Sequence, residues 1–194
     1  MSHSFDQKAK TYDTDKQLAL SNKLVKSILE VTNSKSLGKM LDFGGGNGNK
    51  ALALSDLAEQ VVIADISQPM LSEAEEKIKQ SHSKKISTYL IQDNIRAINE
   101  TFDTILVSLV LHHIEDYKTS LSDLRSLLNP GGQMIIIDFD DSASDSHQKG
   151  FSPEGFKQEL QELGAKAVAF TQVAKRQELF MRPEGKAILW HEKW

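Results

Sequence analysis

Leu41-Asp42-Phe43-Gly44-Gly45-Gly46-Asn47-Gly48 decides how the rest of the chain is read. A short apolar run that stops in glycines is a strand breaking into a tight loop, because glycine permits a sharp turn and a close backbone approach to a ligand. Leu52, Leu54 and Leu57 follow and mark a helix directly after the loop. The loop therefore lies at a helix N-terminus, with unpaired N–H groups and the positive end of the helix dipole. Strand, glycine loop and helix in that order form a cradle for a nucleotide-like cofactor.

Outward from the loop, apolar runs at 61–65, 86–92, 104–110 and 133–139 read as further strands. Ile105-Leu106-Val107 is apolar at consecutive positions, which suits a parallel strand buried on both faces. Helices alternate with these runs. Leu18, Leu24, Val25, Ile28 and Leu29 mark an N-terminal amphipathic helix, and Ser67 caps the next one with Pro69 in its first turn. Tyr117, Leu121, Leu124 and Leu128 share one helix face, which Asn129-Pro130-Gly131-Gly132 terminates. Ser152-Pro153 opens a last helix with Phe151 and Phe156 as a hydrophobic staple. Phe156, Leu160 and Leu163 share its face, and Gly164 ends it. Two strands at 168–173 and 187–190 have no clear helix between them, so an antiparallel hairpin at the sheet edge is the simplest account. The pattern is α/β: a mostly parallel sheet covered by helices, ending in a hairpin.

Composition narrows the function. With 194 residues and a net charge of −4, the chain fits one domain and carries no basic field for nucleic acid. It holds no cysteine, which excludes disulfides, thiolate metal sites and cysteine nucleophiles. The N-terminal residues lack a signal-peptide layout, and no apolar run approaches the roughly 20 residues that cross a bilayer. A cytoplasmic protein with no membrane partner is expected.

Two large cofactor classes use a glycine cradle. The dinucleotide fingerprint G-x-G-x-x-G fails here, because Asn49 falls on its last glycine counted from Gly44 and on its middle glycine counted from Gly46. The chain presents Asp42-x-Gly44-x-Gly46-x-Gly48 instead. This resembles the first motif of class I S-adenosylmethionine-dependent methyltransferases of the small-molecule type. Asp65 ends the second strand 19 residues after Gly46, where a carboxylate can accept from both ribose hydroxyls. Gln92-Asp93-Asn94-Ile95 follows the third strand. Phe102-Asp103-Thr104-Ile105 and Leu111-His112-His113-Ile114-Glu115-Asp116 resemble the fourth-strand passage of that family. Leu127-Leu128-Asn129-Pro130-Gly131-Gly132 resembles its lead into strand five, and Phe5-Asp6-x-x-Ala9-x-x-Tyr12-Asp13 resembles the N-terminal segment that folds over the cofactor.

The resemblance implies a Rossmann-like three-layer sandwich with seven strands in the order 3-2-1-4-5-7-6. It implies one domain over 1–194, with a lid segment at 1–30, a cofactor core at 38–139, and an acceptor-side helix and hairpin at 140–194. S-Adenosylmethionine is the implied cofactor and S-adenosylhomocysteine the product. The implied cofactor residues are Tyr12, Asp42, Gly44, Gly46, Gly48, Asp65, Ile66, Asp93, Asn94 and Ser108, with Asp93 accepting from the adenine amino group.

Methyl transfer from a sulfonium is an in-line displacement whose leaving group is already activated, so no metal is called for. A base is needed only where the acceptor must lose a proton. His112 and His113, just past the fourth strand, are the candidates, and the sequence does not choose between them. Asp138, Asp140, Asp141 and Asp145 read as solvated loop charge rather than a cation site, and His147 as a surface histidine. A small-molecule acceptor is expected. Nucleic acid is disfavoured by the acidic charge and by Ser108-Leu109-Val110-Leu111, which stands where amino-methylating nucleic-acid enzymes carry [N/D/S]-P-P-[Y/F]. Two alternatives stay open: an NAD(P)-dependent oxidoreductase, and a non-catalytic S-adenosylmethionine-binding protein.

Overall fold

The computed structural model describes residues 3–141, 150–174 and 186–194. Asp145 and His147 lie outside the described residues. The elements are α1 (His3–Asp6), α2 (Asp15–Thr32), β1 (Gly38–Phe43), α3 (Asn49–Leu54), β2 (Ala58–Asp65), α4 (Gln68–Ser81), β3 (Ile86–Leu90), β4 (Phe102–Ser108), α5 (Tyr117–Ser126), β5 (Leu128–Phe139), α6 (Pro153–Glu162), β6 (Ala167–Ala174) and β7 (Ala187–Lys193). Short 3-10 turns join several of them.

All seven strands form one sheet in the order β3-β2-β1-β4-β5-β7-β6. The pairs β1–β2, β1–β4, β2–β3 and β4–β5 are parallel. The pairs β5–β7 and β6–β7 are antiparallel, so the hairpin lies at the edge as expected. This is the Rossmann-like sandwich that the sequence implied.

Alternating strand residues fill the two faces. Leu41, Ile105, Val107, Met134, Ile136 and Trp190 pack with Leu121 and Leu124 of α5 and Phe156 and Leu160 of α6. Met40, Val61, Ile63, Leu106, Ile135 and Leu189 pack with Leu24 and Ile28 of α2, Leu54 of α3 and Leu71 of α4. Burying each such side chain stabilises the fold by about 1.5–3 kcal/mol. The helix starts follow their capping residues: Ser67 Oγ accepts from the Met70 amide and Ser152 Oγ from the Gly155 amide, both at 3.4 Å. The Phe151 and Phe156 rings meet at 4.8 Å, closing the staple.

Three details differ from the sequence reading. Leu128 leaves the α5 face and begins β5, its Cα paired with Phe102 ahead of an irregularity between Phe102 and Thr104. The Asn129-Pro130-Gly131-Gly132 stretch lies inside that irregular start of the strand, where a bulge tolerates proline. β4 stops at Ser108 because Leu109 adopts φ +59°, a left-handed conformation that takes a leucine out of any strand. Finally, Asp138 and Asp140 are buried rather than solvated: β5 carries Asp138 into the interior, and Asp140, just past the strand, bridges to Phe151; Asp141 is exposed.

Among the described residues no helix is long and apolar enough to cross a membrane. No group of three or more His, Cys, Asp or Glu among them is arranged to hold a metal ion.

Candidate functional site

The strand order reverses direction between β1 and β4, and the chain opens a crevice beyond their C-terminal ends, where open α/β sheets bind ligands. A cavity of about 210 Å³ lies there. Gly44, Gly45 and Gly46 just after β1, Asp65 and Ile66 at the end of β2, Ile91 after β3, and Ser108 to Val110 at the end of β4 form its walls. Gly44 has φ +68°, and a Cβ on it would collide with the Val110 side chain. Gly46 has φ +56°, and its Cβ would come to 3.0 Å from Met70 Cε. The loop is thus closed to side chains on both steric and conformational grounds.

Asp65 organises the loop from below. Its Oδ2 accepts from the Gly46 amide at 2.8 Å and its Oδ1 from the Ser67 amide at 2.9 Å. A carboxylate offers about four lone-pair sites, so accepting capacity is left for a ligand hydroxyl. Burial raises the Asp65 pKa above the usual carboxylate range, opposed by the amides of Ser67, Gly46 and Ile66. Ser108 is a wall residue of the cavity, and its buried Oγ has no hydrogen-bond partner among the described residues. A glycine cradle, a carboxylate with open lone pairs and an orphaned hydroxyl are the parts a polar, ribose-bearing cofactor requires. Ile66 (54% exposed), Met70 and Ile91 add apolar wall.

The N-terminal segment covers the cavity with Phe5 and Tyr12. Asp13 ties it down: one carboxylate oxygen accepts from Asn47 Nδ2 and Asn49 Nδ2, both at 2.7 Å, and the other pairs with Lys77 Nζ at 2.6 Å. Burial pushes the Asp13 pKa up, but the hydrogen bonds from Lys77, Asn49 and Asn47 outweigh it and leave it below the usual value. A second tie joins Ser67 Oγ to Asp6 Oδ1 at 2.6 Å. Tyr12, half-buried and near Asp13 and Asp65, has its phenol pKa raised, chiefly by burial.

Of the residues singled out from the sequence, Tyr12, Gly44, Gly46, Asp65, Ile66, Ser108 and His113 converge on the cavity. The others stand elsewhere. Gly48 turns into α3 at φ +78° behind the wall. Asp42 is wholly buried beneath the loop, where a Cβ on Gly45 would come within 2.8 Å of its Cγ. Both its oxygens lack partners among the described residues, and burial pushes its pKa up to about 6, with Lys50 opposing and Asp65 adding to the rise. Asp93 and Asn94 are exposed. Asn94 caps the turn after β3 through the Arg96 amide at 2.7 Å and donates to Asp123 at 2.8 Å. Neither residue lines the cavity; Ile91 does.

The two histidine rings lie 3.9 Å apart but differ in partner and exposure. His113 faces the first cavity, with its ring 5.3 Å from that of Phe5. His112 is buried, and its Nδ1 lies 2.7 Å from Oδ1 of Asp138. Both histidines also line a second cavity of about 350 Å³, alongside Leu20, Leu109 and Phe139. Asp138 was missed as a site residue. Its signal was positional: a carboxylate at the C-terminal end of the strand beside β4. Lys77 and Asn47, the partners of Asp13, carried no local signal at all. Neither cavity takes a wall residue from 150–174 or 186–194, where an acceptor side was expected.

Strand order, cavity position and the Asp65-bound glycine loop together define the class I S-adenosylmethionine-dependent methyltransferase fold, a class whose cofactor is S-adenosylmethionine. The chain belongs to the ubiE/COQ5 methyltransferase family, whose match covers residues 1–169. It is 28% identical over 143 residues to a ubiquinone/menaquinone biosynthesis C-methyltransferase of Shewanella frigidimarina, covering 71% of this chain and 56% of that protein. Magnesium protoporphyrin IX methyltransferase of Synechocystis with bound S-adenosylhomocysteine superposes with TM-score 0.73 at 17% identity, covering 100% of this chain and 95% of that one. The N-methyltransferase NodS of Bradyrhizobium japonicum, also with S-adenosylhomocysteine, gives TM-score 0.73 at 18% identity, covering 99% and 97%. The chain spans about half the length of the curated relatives it matches.

Proposed function

We propose that this chain transfers a methyl group from S-adenosylmethionine to a small-molecule acceptor by in-line displacement. The observation that carries this reading is the meeting of Asp65, the Gly44–Gly46 backbone and the unpartnered Ser108 hydroxyl around one cavity at the strand ends. When bound, S-adenosylmethionine supplies a methyl group on a positively charged sulfur, and its displacement leaves the neutral thioether S-adenosylhomocysteine.

Asp65 would hold the ribose hydroxyls, the glycine loop and Ser108 the amino-acid end, and Ile66, Met70 and Ile91 the base. Asp93 and Asn94 would reach the adenine edge only if their exposed loop moved inward. Asp42 and Gly48 serve by shaping the loop from beneath and behind. Residues 1–30 act as a lid through Phe5 and Tyr12, residues 38–139 form the cofactor core, and 140–194 complete the sheet. The chain's task is to align and to exclude water, and such positioning can supply about 7–11 kcal/mol of barrier reduction. A second cavity of about 350 Å³ beside the first suits a small acceptor better than a polymer.

The test is calorimetric titration with S-adenosylhomocysteine, followed by incubation with methyl-labelled S-adenosylmethionine and a cell metabolite extract. Binding together with a labelled small molecule supports the reading. Failure to bind at millimolar cofactor overturns it, and tight binding with no labelled product from any extract would point to a non-catalytic binding protein.

A further inference from the structure

We infer that the second cavity is the acceptor chamber and that the pair His112–Asp138 is its general base, with His112 Nε2 taking the proton from the acceptor's attacking atom. This rests on the methyltransferase reading and adds what that reading lacks: a place and a proton acceptor for the other substrate.

The geometry supports each part. The two cavities share Phe5, Tyr12, Leu20, Leu109 and His113 as walls, so molecules held in them are neighbours. The chamber's surface is mostly apolar, from Phe5, Leu20, Leu109 and Phe139, with Lys8, Thr11, Thr14 and Gln17 also in its wall. His112 is the buried polar side chain that opens onto it, with 2% of the side chain exposed. Its ring is fixed on three sides. Asp138 Oδ1 holds Nδ1 at 2.7 Å, the Phe139 ring meets it edge-on at 4.8 Å, and the His113 ring lies at 3.9 Å. The Asp138 carboxylate, wholly buried, also accepts from the amides of His112 at 3.3 Å and Phe139 at 2.8 Å. A carboxylate that accepts on all sides holds the proton on Nδ1, and the lone pair is then on Nε2. Nε2 has no hydrogen-bond partner among the described residues and is not among the fully buried orphan atoms, and His112 is a wall residue of the chamber.

Leu109 supports the arrangement. Its φ of +59° is costly for a leucine, and it lines both cavities with its amide bound to the Ile137 carbonyl at 2.7 Å. Strain of this kind persists where the surroundings enforce it. Here it turns the chain sharply between Ser108, which faces the cofactor cavity, and His112, which faces the chamber.

The acceptor class follows: an apolar molecule whose attacking atom carries a dissociable proton, such as an acidic hydroxyl or an enolisable carbon. The proton passes to Nε2 as the acceptor's electron pair forms the bond to the methyl carbon, and the pair of the broken carbon–sulfur bond stays on sulfur. The positive charge lost by the sulfonium reappears on the imidazolium, which releases the proton to solvent as product departs. His112 is then a catalytic residue, and Asp138 a positioning residue that acts through it.

The test uses the full chain labelled with nitrogen-15 histidine, saturated with S-adenosylhomocysteine, and 4-nitrophenol as a coloured acidic probe. The expected free state is His112 in the Nδ1–H form, read from its nitrogen shifts. With 4-nitrophenol added below its own ionisation midpoint, the bound dye should show the phenolate band, and both His112 nitrogens should move to imidazolium values. His112→Gln should lose the phenolate band by about tenfold or more, one full unit of proton affinity, while binding S-adenosylhomocysteine as the parent does. Asp138→Asn should populate the Nε2–H form and weaken the band. If that variant does not fold, the parent's tautomer and His112→Gln still decide the matter. A parent in the Nε2–H form, no binding of 4-nitrophenol, binding without ionisation, or a phenolate band that survives His112→Gln overturns the inference. Loss of S-adenosylhomocysteine binding by the parent is the separate failure of the methyltransferase reading.

Discussion

Asp65 at the end of β2 accepts the amide proton of Gly46 at 2.8 Å, so one carboxylate both fixes the glycine loop and faces the cavity that the loop encloses. This relationship predicts that loop shape and cofactor affinity are coupled. Asp65→Asn keeps the side-chain shape but halves the accepting capacity. Hydrogen bonds to charged groups contribute about 1.5–3 kcal/mol each, so S-adenosylhomocysteine affinity should fall by about 10- to 100-fold. Calorimetric titration of parent and variant measures it, and an unchanged Kd would remove Asp65 from the site.

Gly46→Ala tests the cradle itself. A left-handed conformation costs an alanine about 1–2 kcal/mol, and the new methyl would press on Met70 Cε at 3.0 Å. The variant should unfold at lower urea concentration by that amount. It should also lose at least about tenfold in S-adenosylhomocysteine affinity, because Met70 lines the cavity and would be pushed into it.

Asp13→Asn should loosen the N-terminal cover without unfolding the sheet. It removes the ion pair with Lys77 and weakens the bonds from Asn47 and Asn49. A partly exposed ion pair contributes only about 0.2–1 kcal/mol, so global stability should change little. Hydrogen exchange should accelerate locally over residues 5–14, and S-adenosylhomocysteine should dissociate several-fold faster. Unchanged exchange there would show that the segment is held by other means.

Glu192 predicts a pH dependence of stability. It is wholly buried on β7, neither oxygen has a partner among the described residues, and burial pushes its pKa up to about 8 from 4.5. The folded state therefore binds this proton more tightly than the unfolded chain. The protonated side chain's contribution is fully present below about pH 4.5 and is lost as pH rises towards 8. Asp42 acts with the same sign, its window closing near pH 6. Glu192→Gln should stabilise the protein at pH 8 by about 1–3 kcal/mol and barely at pH 5. Urea midpoints at both values check it, and a pH-independent difference would mean that Glu192 is ionised or solvated in the fold.

Much of this was legible in the chain because it follows from local spacing. Glycines after Leu41-Asp42-Phe43 demand a turn, Asp65 falls at the end of the next apolar run, and alternating apolar faces dictate a sheet covered on both sides. Elements and strand order agree with that reading, and errors collect where tertiary pairing overrides a local rule. Leu128 has helix spacing, yet pairing with Phe102 takes it into β5. Asp138 looks like loop charge, yet β5 runs on through it and buries it against His112.

The sequence by itself determined the glycine cradle, the carboxylate that ends the next strand and, through its resemblance to a known family, the class of cofactor, since neighbours along one strand–loop–helix–strand unit carry the first two. Only the tertiary structure decided which histidine has a buried carboxylate behind it, that Asp42 lies under the loop rather than in the cavity, and that Asp13 reaches Lys77. His112 and Asp138 are 26 residues apart and Asp13 and Lys77 are 64 apart, and no local spacing rule reports contacts that only the packing of the finished fold creates.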